Sequence, residues 1–349
     1  MTHQDNEKET SCRKSWYRNN HPNEHTYTLG YGFSSKPPAL VERRLISTWG
    51  NGMGLCVLTY LFIISFFPTL LFYLFDKSFS SGSFSDMEEI LSQTFYTVAS
   101  VGALLIPFSL FAAYVMIPRS HIVQNRPISM RIALGAVGVA MAASAIGMTM
   151  GEALEGAFSF FGLQFRGSEF RIPTNPAAAA LCFINLTFIP AVFEEYAFRG
   201  VVLQSLRRFG DGFALLTSSM LFALVHIQPS RMPNAFLVGL VMGYFVLRTG
   251  SIRISMLIHF INNVVIFTVS VLVQGIDSRA FFIGLRMIYL LIGILAFFLI
   301  LKRHNGLPAM ASSNTINNER CKCRAFWCTV PMVVTVAVIV IISMGWMGS

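Results

Sequence analysis

Apolar residues fall in nine long runs separated by short polar stretches. The runs lie near 54–75, 94–118, 132–151, 177–206, 213–227, 233–247, 254–276, 280–301 and 330–347. A membrane-crossing helix needs about 20 predominantly apolar residues. The runs at 213–227 and 233–247 are short for that, and the run at 177–206 carries charges. The pattern therefore predicts an all-α, polytopic membrane protein with eight or nine transmembrane helices. Residues 1–50 read as a polar, mostly disordered tail, followed by three helices over 54–151 and a helical core over 177–276. A further span over 280–301, a basic loop over 302–329 and a C-terminal span over 330–349 complete the organisation. Gly147 with Gly151, and Gly239 with Gly243, are GxxxG pairs that let helices approach closely.

Composition agrees with the pattern. The chain has 349 residues, 54% hydrophobic and only 12% charged, with a mean hydropathy of +0.59. Soluble domains carry about 25% charged residues, so soluble enzyme classes are excluded for the chain as a whole. The net charge of +9 would suggest nucleic acid in a soluble protein. Here Lys and Arg sort by loop instead, and no nucleic-acid partner is expected. With the N-terminus in the cytosol, inside segments hold nineteen Lys and Arg and outside loops five. That bias predicts a cytosolic N-terminus. The first apolar run starts too late and runs too long for a signal peptide. Cys56 and Cys182 lie in apolar runs, Cys12 lies in the tail, and Cys321, Cys323 and Cys328 cluster before the last span. Reduced thiols are the expectation there, with lipidation or metal binding as the alternative.

Few ionisable residues remain at membrane depth: Glu194, Glu195, Arg199, His226, His259 and Arg286. Each costs at least ~2.5–3.5 kcal/mol to insert, so the default reading is a functional site. At ~1.5 Å per residue, Glu194 lies roughly 20 Å from the helix end at Arg207 and His226 roughly 22 Å from Asp211. His259 and Asn263 lie roughly 9 and 15 Å in from Arg253. Three helices thus bring a carboxylate, two imidazoles and an amide to overlapping depth. Glu195 and Arg199 are spaced i, i+4 and are expected to pair. Glu194 points about 100° away, toward a different neighbour. Pro190, one turn earlier, removes a backbone donor and is expected to kink the helix. Asn262 is expected to serve packing or backbone bonding.

A buried Glu can act as general base on water. One His can position that water, and a second His with an Asn can donate to an oxyanion. This set suits an amide or peptide hydrolase without a Ser or Cys nucleophile. Glu194, His226 and His259 could instead bind zinc, although no HExxH helix is present. Two other classes stay open: a proton-coupled transporter, and a non-catalytic membrane scaffold or immunity protein.

The stretches EEYAFRG (Glu194 to Gly200), FALVH (Phe222 to His226) and HFINN (His259 to Asn263) together resemble the CPBP family, which comprises CAAX prenyl proteases and bacteriocin-processing enzymes and is also called Abi. The resemblance covers roughly 177–276. It implies an intramembrane endopeptidase open to the cytosol, with Glu194 activating water, His226 assisting, and His259 with Asn263 holding the oxyanion. Glu195 and Arg199 would support the site. Such enzymes are often labelled metallopeptidases, yet the Asn partner of His259 favours a metal-free glutamate mechanism with no cofactor. The implied substrate is a prenylated, leader or membrane-anchored peptide in the lipid bilayer. The membrane would be the plasma membrane of a bacterium or the endoplasmic reticulum of a eukaryote.

Overall fold

The computed structural model describes residues 25–28, 32–35, 38–79, 85–165, 172–272, 279–304, 315–345 and 347–348. Most of the expected disordered tail, with Cys12, lies outside them. So does the centre of the basic loop, 305–314.

Helices carry almost everything described. In chain order they are α1 (Pro38–Phe79), α2 (Ser85–Tyr114), a single turn (Arg119–Ile122), α3 (Met130–Phe160) and α4 (Pro176–Phe209). Then follow α5 (Asp211–Leu224), α6 (Met232–Thr249), α7 (Arg253–Leu272), α8 (Arg279–His304), α9 (Glu319–Trp327) and α10 (Val330–Gly345). Two small antiparallel ribbons complete the described structure: His25–Thr28 with Gly32–Ser35, and Gln164–Phe165 with Met347–Gly348.

Among the described residues seven helices are long and apolar enough to cross a membrane, or eight if the pair α9–α10 counts as one broken span bent by 74°. The protein is thus an integral, multi-pass membrane protein. The run near 213–227 does form a helix, but α5 is only 14 residues long. At 1.5 Å per residue that is about 21 Å, short of a bilayer core of about 30 Å. It packs against α6 as half of a buried hairpin.

Two element boundaries differ from the apolar pattern for a physical reason. Helix α1 begins at Pro38, well inside the polar stretch. Proline at a first helical position costs no hydrogen bond. Val41, Ile46 and Trp49 are buried while Arg43 and Arg44 face outward. This amphipathic opening is invisible to a search for continuous apolar runs. The basic loop likewise holds α9, capped by the Asn318 side chain on the Cys321 N–H at 2.9 Å. Its Lys322 is buried and donates to the Phe209 carbonyl at 2.8 Å.

Close helix approach follows from small residues. A side chain at Gly151 would collide with the Ser230 backbone, and one at Gly147 with Asn234, so α3 seats the start of α6 only with glycine at both positions. A ring contact and two hydrogen bonds gather the basic segments at one end of the bundle. Trp49 meets the Phe209 ring at 5.0 Å, Ile252 donates to the Gln124 carbonyl at 2.9 Å, and Gln124 donates to Gln204 at 3.1 Å. Arg43, Arg44, Arg119, Arg126, Arg207, Arg208, Arg248 and Arg253 all belong to the segments so joined.

Candidate active site

Helix α4 supplies the acidic pair. Asn175 caps its start, accepting from the Ala177 N–H at 2.9 Å, with Pro176 as the first residue. The chain does not break at Pro190. It widens instead, with π-type winding over Pro190–Glu194 and again over Tyr196–Val202. Such wide turns are rare and cluster at functional positions. Here they flank Glu195.

Glu195 and Arg199 pair as the spacing requires. Arg199 Nη1 donates to Glu195 Oε1 at 2.7 Å, and the two side chains are 1% and 0% exposed. The guanidinium lies 4.1 Å from the Phe222 ring centroid. Its second nitrogen points at the Gly239 carbonyl at 3.5 Å. A Cβ at 239 would lie in van der Waals contact, 3.4 Å from the Arg199 Nη2, from Phe222 and from Ser219.

His259 enters from α7 and lies between both glutamates. Its Nδ1 is 2.8 Å from Glu195 Oε1, and its Nε2 is 3.9 Å from Glu194 Oε2. Glu194 and Glu195 do diverge, but they do not address separate neighbours: the imidazole is wide enough for each carboxylate to face a different nitrogen. A carboxylate only accepts, so the Nδ1 proton points at Glu195. Phe222 packs edge-on against both histidines, with centroids 4.8 Å from His226 and 5.8 Å from His259.

His226 sits just beyond the end of α5. Its Nδ1 lies 2.7 Å from the Phe222 carbonyl. That carbonyl only accepts, so Nδ1 carries a proton, and in the neutral ring Nε2 keeps its lone pair. Glu194 and His259 both act electrostatically on this ring. The next residue, Ile227, has φ 61°, a conformation β-branched residues avoid. Its carbonyl is held by the Ser343 hydroxyl of α10 at 2.5 Å.

Asn263 already has one backbone partner. It lies on the face of α7 that carries His259, but its side-chain amide donates to the Leu186 carbonyl at 3.0 Å. The cause is Pro190: lacking an N–H, it leaves Leu186, four residues earlier, without its α-helical donor. The backbone-bonding role expected of Asn262 therefore falls to Asn263. Asn262 instead donates weakly to Asn263 Oδ1 at 3.5 Å. An amide nitrogen has two donors, so one Asn263 N–H remains for other use. Arg286 stands apart from the site, paired with Glu152 across α8 and α3.

Some polar residues around the site carried no sequence motif. Tyr60 of α1 and Tyr96 of α2 both lie within electrostatic range of the Glu194 carboxyl. Thr97 donates to Asn185 Oδ1 at 2.6 Å, and Asn185 donates to the Gln93 carbonyl at 3.1 Å, fastening α2 to α4 one turn before Pro190. The only signal for them is a hydroxyl or amide inside an apolar run, which membrane helices often tolerate.

The donor set does not form a metal cage. Among the described residues no group of three His, Cys, Asp or Glu side chains is placed to hold a metal ion.

A search of curated proteins and a search of solved structures returned no match to this chain. Residues 176–265 match the family model described as type II CAAX prenyl endopeptidase Rce1-like. The matched segment spans all three motifs, from the start of α4 to just beyond Asn263. This core is thus similar to the Rce1-like CAAX endopeptidases, in agreement with the resemblance to the CPBP family.

Proposed function

We propose that the protein is an intramembrane endopeptidase of the CAAX type that cleaves a membrane-anchored peptide with a water activated by Glu194. The observation that carries this reading is the placement of His259 between two carboxylates, its Nδ1 2.8 Å from Glu195 and its Nε2 3.9 Å from Glu194.

In this reading Glu194 takes a proton from water while His226 Nε2 accepts its other hydrogen. The water oxygen bonds to the scissile carbonyl carbon, whose oxygen becomes an oxyanion. Protonated Nε2 of His259 and the second Asn263 N–H donate to that oxyanion. The intermediate then expels the amine, which takes the proton from Glu194. Glu195 supports a protonated His259 through Nδ1, and Arg199 neutralises Glu195. The substrate is proposed to be a prenylated, leader or otherwise membrane-anchored peptide. It would approach from the basic end of the bundle, which the positive-inside rule assigns to the cytosol.

The test is Glu194→Gln, which keeps shape and removes the base. C-terminal peptidomes of membranes carrying the wild type and the variant would be compared, together with cleavage of a farnesylated CAAX peptide. Loss of every cleavage product with the variant still folded supports the reading. Full cleavage by Glu194→Gln overturns it, and a merely sequestering scaffold would tolerate the change.

A further inference from the structure

Three of the six cysteines lie within eight residues of one another, at the bend where α9 meets α10, and the proposed peptidase chemistry uses none of them. Cys321, Cys323 and Cys328 are all free and all exposed. The buried stripe of α9 is Lys322, Ala325 and Phe326, continued by Thr329. At 100° per residue, the thiols flank that stripe, Cys321 and Cys328 on one edge and Cys323 on the other. Arg320 and Arg324 point away from it to solvent.

The usual fates of clustered thiols are closed by geometry. Cys321 and Cys323 point roughly 200° apart on the helix, Cys323 and Cys328 point roughly 140° apart with about 7.5 Å of rise between them, and Cys321 and Cys328 are about 10 Å apart along it, so no pair is within disulfide reach. Among the described residues no group of three is placed to hold a metal. What remains is three accessible thiols on a short amphipathic helix turned 74° from the span that follows. Two residues after Cys328, Val330 is 76% exposed, and Val333 and Val334 continue an outward apolar face. A chain attached at Cys328 would lie along those valines in the lipid. The helix also sits at the basic end of the bundle, since Lys322 donates to Phe209 at the end of α4.

We propose that the Cys321, Cys323 and Cys328 cluster is an S-acylation site, with Cys328 the principal attachment point. Juxtamembrane and amphipathic-helix cysteines are the setting this modification takes. The co-reactant is a long-chain acyl coenzyme A. A cysteine thiolate attacks its thioester carbonyl, a new thioester forms on the protein, and the coenzyme A thiolate leaves and takes up the proton the cysteine released. The acyl chain pins α9 to the bilayer surface. Because α9 rests on the end of α4, the anchor steadies the helix that carries Glu194 and Glu195.

The experiment uses the full chain in eukaryotic cell membranes, which supply acyl coenzyme A and acyltransferases. Free thiols are blocked with N-ethylmaleimide, thioesters are opened with hydroxylamine, and the released thiols are tagged with maleimide-polyethylene glycol. The expected result is a hydroxylamine-dependent mass step in the wild type that is largely lost in Cys328→Ser. It should be absent from Cys321→Ser/Cys323→Ser/Cys328→Ser. Mass spectrometry of wild-type peptides containing Cys328 reads the same site without any variant. No hydroxylamine-dependent step in the wild type overturns the proposal, and so does an unchanged step in the triple variant.

Discussion

Glu195 Oε1 lies 2.8 Å from His259 Nδ1 and 2.7 Å from Arg199 Nη1, so one oxygen atom joins the cation of α4 to the imidazole of α7. The three side chains are almost wholly buried. Removing one member of such a network leaves an uncompensated charge, which typically costs about 3–5 kcal/mol. Arg199→Ala should therefore lower thermal stability in detergent by several degrees and reduce yield in the membrane. Arg199→Lys should recover little of it, because an ammonium cannot reach Glu195 and lie flat on Phe222 together. A variant as heat-stable as wild type would show that the pair does not hold the helices.

The same network predicts a functional split between adjacent glutamates. Glu195→Gln keeps the contact to Arg199 but weakens support for a protonated His259. Activity should fall while Glu194→Gln, in parallel, loses activity with stability unchanged. Thermal unfolding and cleavage rates on both variants decide it. Equal stability losses in the two would contradict the assignment of one to support and the other to chemistry.

Asn263 serves two partners in this reading, the Leu186 carbonyl and the oxyanion. Asn263→Ala should cut kcat by about 10²–10³-fold, the loss seen for one oxyanion donor. KM should change little. The orphaned carbonyl should add a stability loss of about 1–3 kcal/mol. A stability loss with kcat intact would leave Asn263 a helix clamp only.

Much of this arrangement was legible in the sequence. The i, i+4 spacing of Glu195 and Arg199 gave their pairing directly, and charge at membrane depth picked out the histidines. Two relationships were not legible. The Asn263 bond to Leu186 depends on how α7 is rotated against α4, which spacing does not state. The opening of α1 at Pro38 is amphipathic rather than apolar, and its buried Glu42 makes sense only once Ile316 and Asn317 arrive from the far end of the chain to donate to it at 3.1 and 2.9 Å.

Ser343 belongs to α10, outside the segment that matches the family model, yet it holds the turn that follows His226. A neutral hydrogen bond contributes about 1 kcal/mol, so if all of it positions His226, Ser343→Ala should lower kcat about fivefold. Ser343→Thr, which keeps the hydroxyl, should restore most of that, and KM should stay constant in both. An unchanged kcat in Ser343→Ala would show that the strained Ile227 backbone is held by its own packing.

The proposed glutamate mechanism runs without a metal. Zinc in a catalytic site takes three protein ligands and an open position. Here His226 and His259 stand on different elements, and among the described residues no group of three His, Cys, Asp or Glu side chains is placed to hold a metal ion. Asn263 adds an amide, a poor zinc ligand. Glu194 can act as the general base on water without a metal. Purified active enzyme should therefore keep its cleavage rate after exhaustive chelation, and elemental analysis should find less than stoichiometric zinc. Activity lost on chelation and restored by zinc would reverse this conclusion and make Glu194, His226 and His259 the ligands. The same experiment repeated on His226→Ala would then have to show the loss of bound zinc.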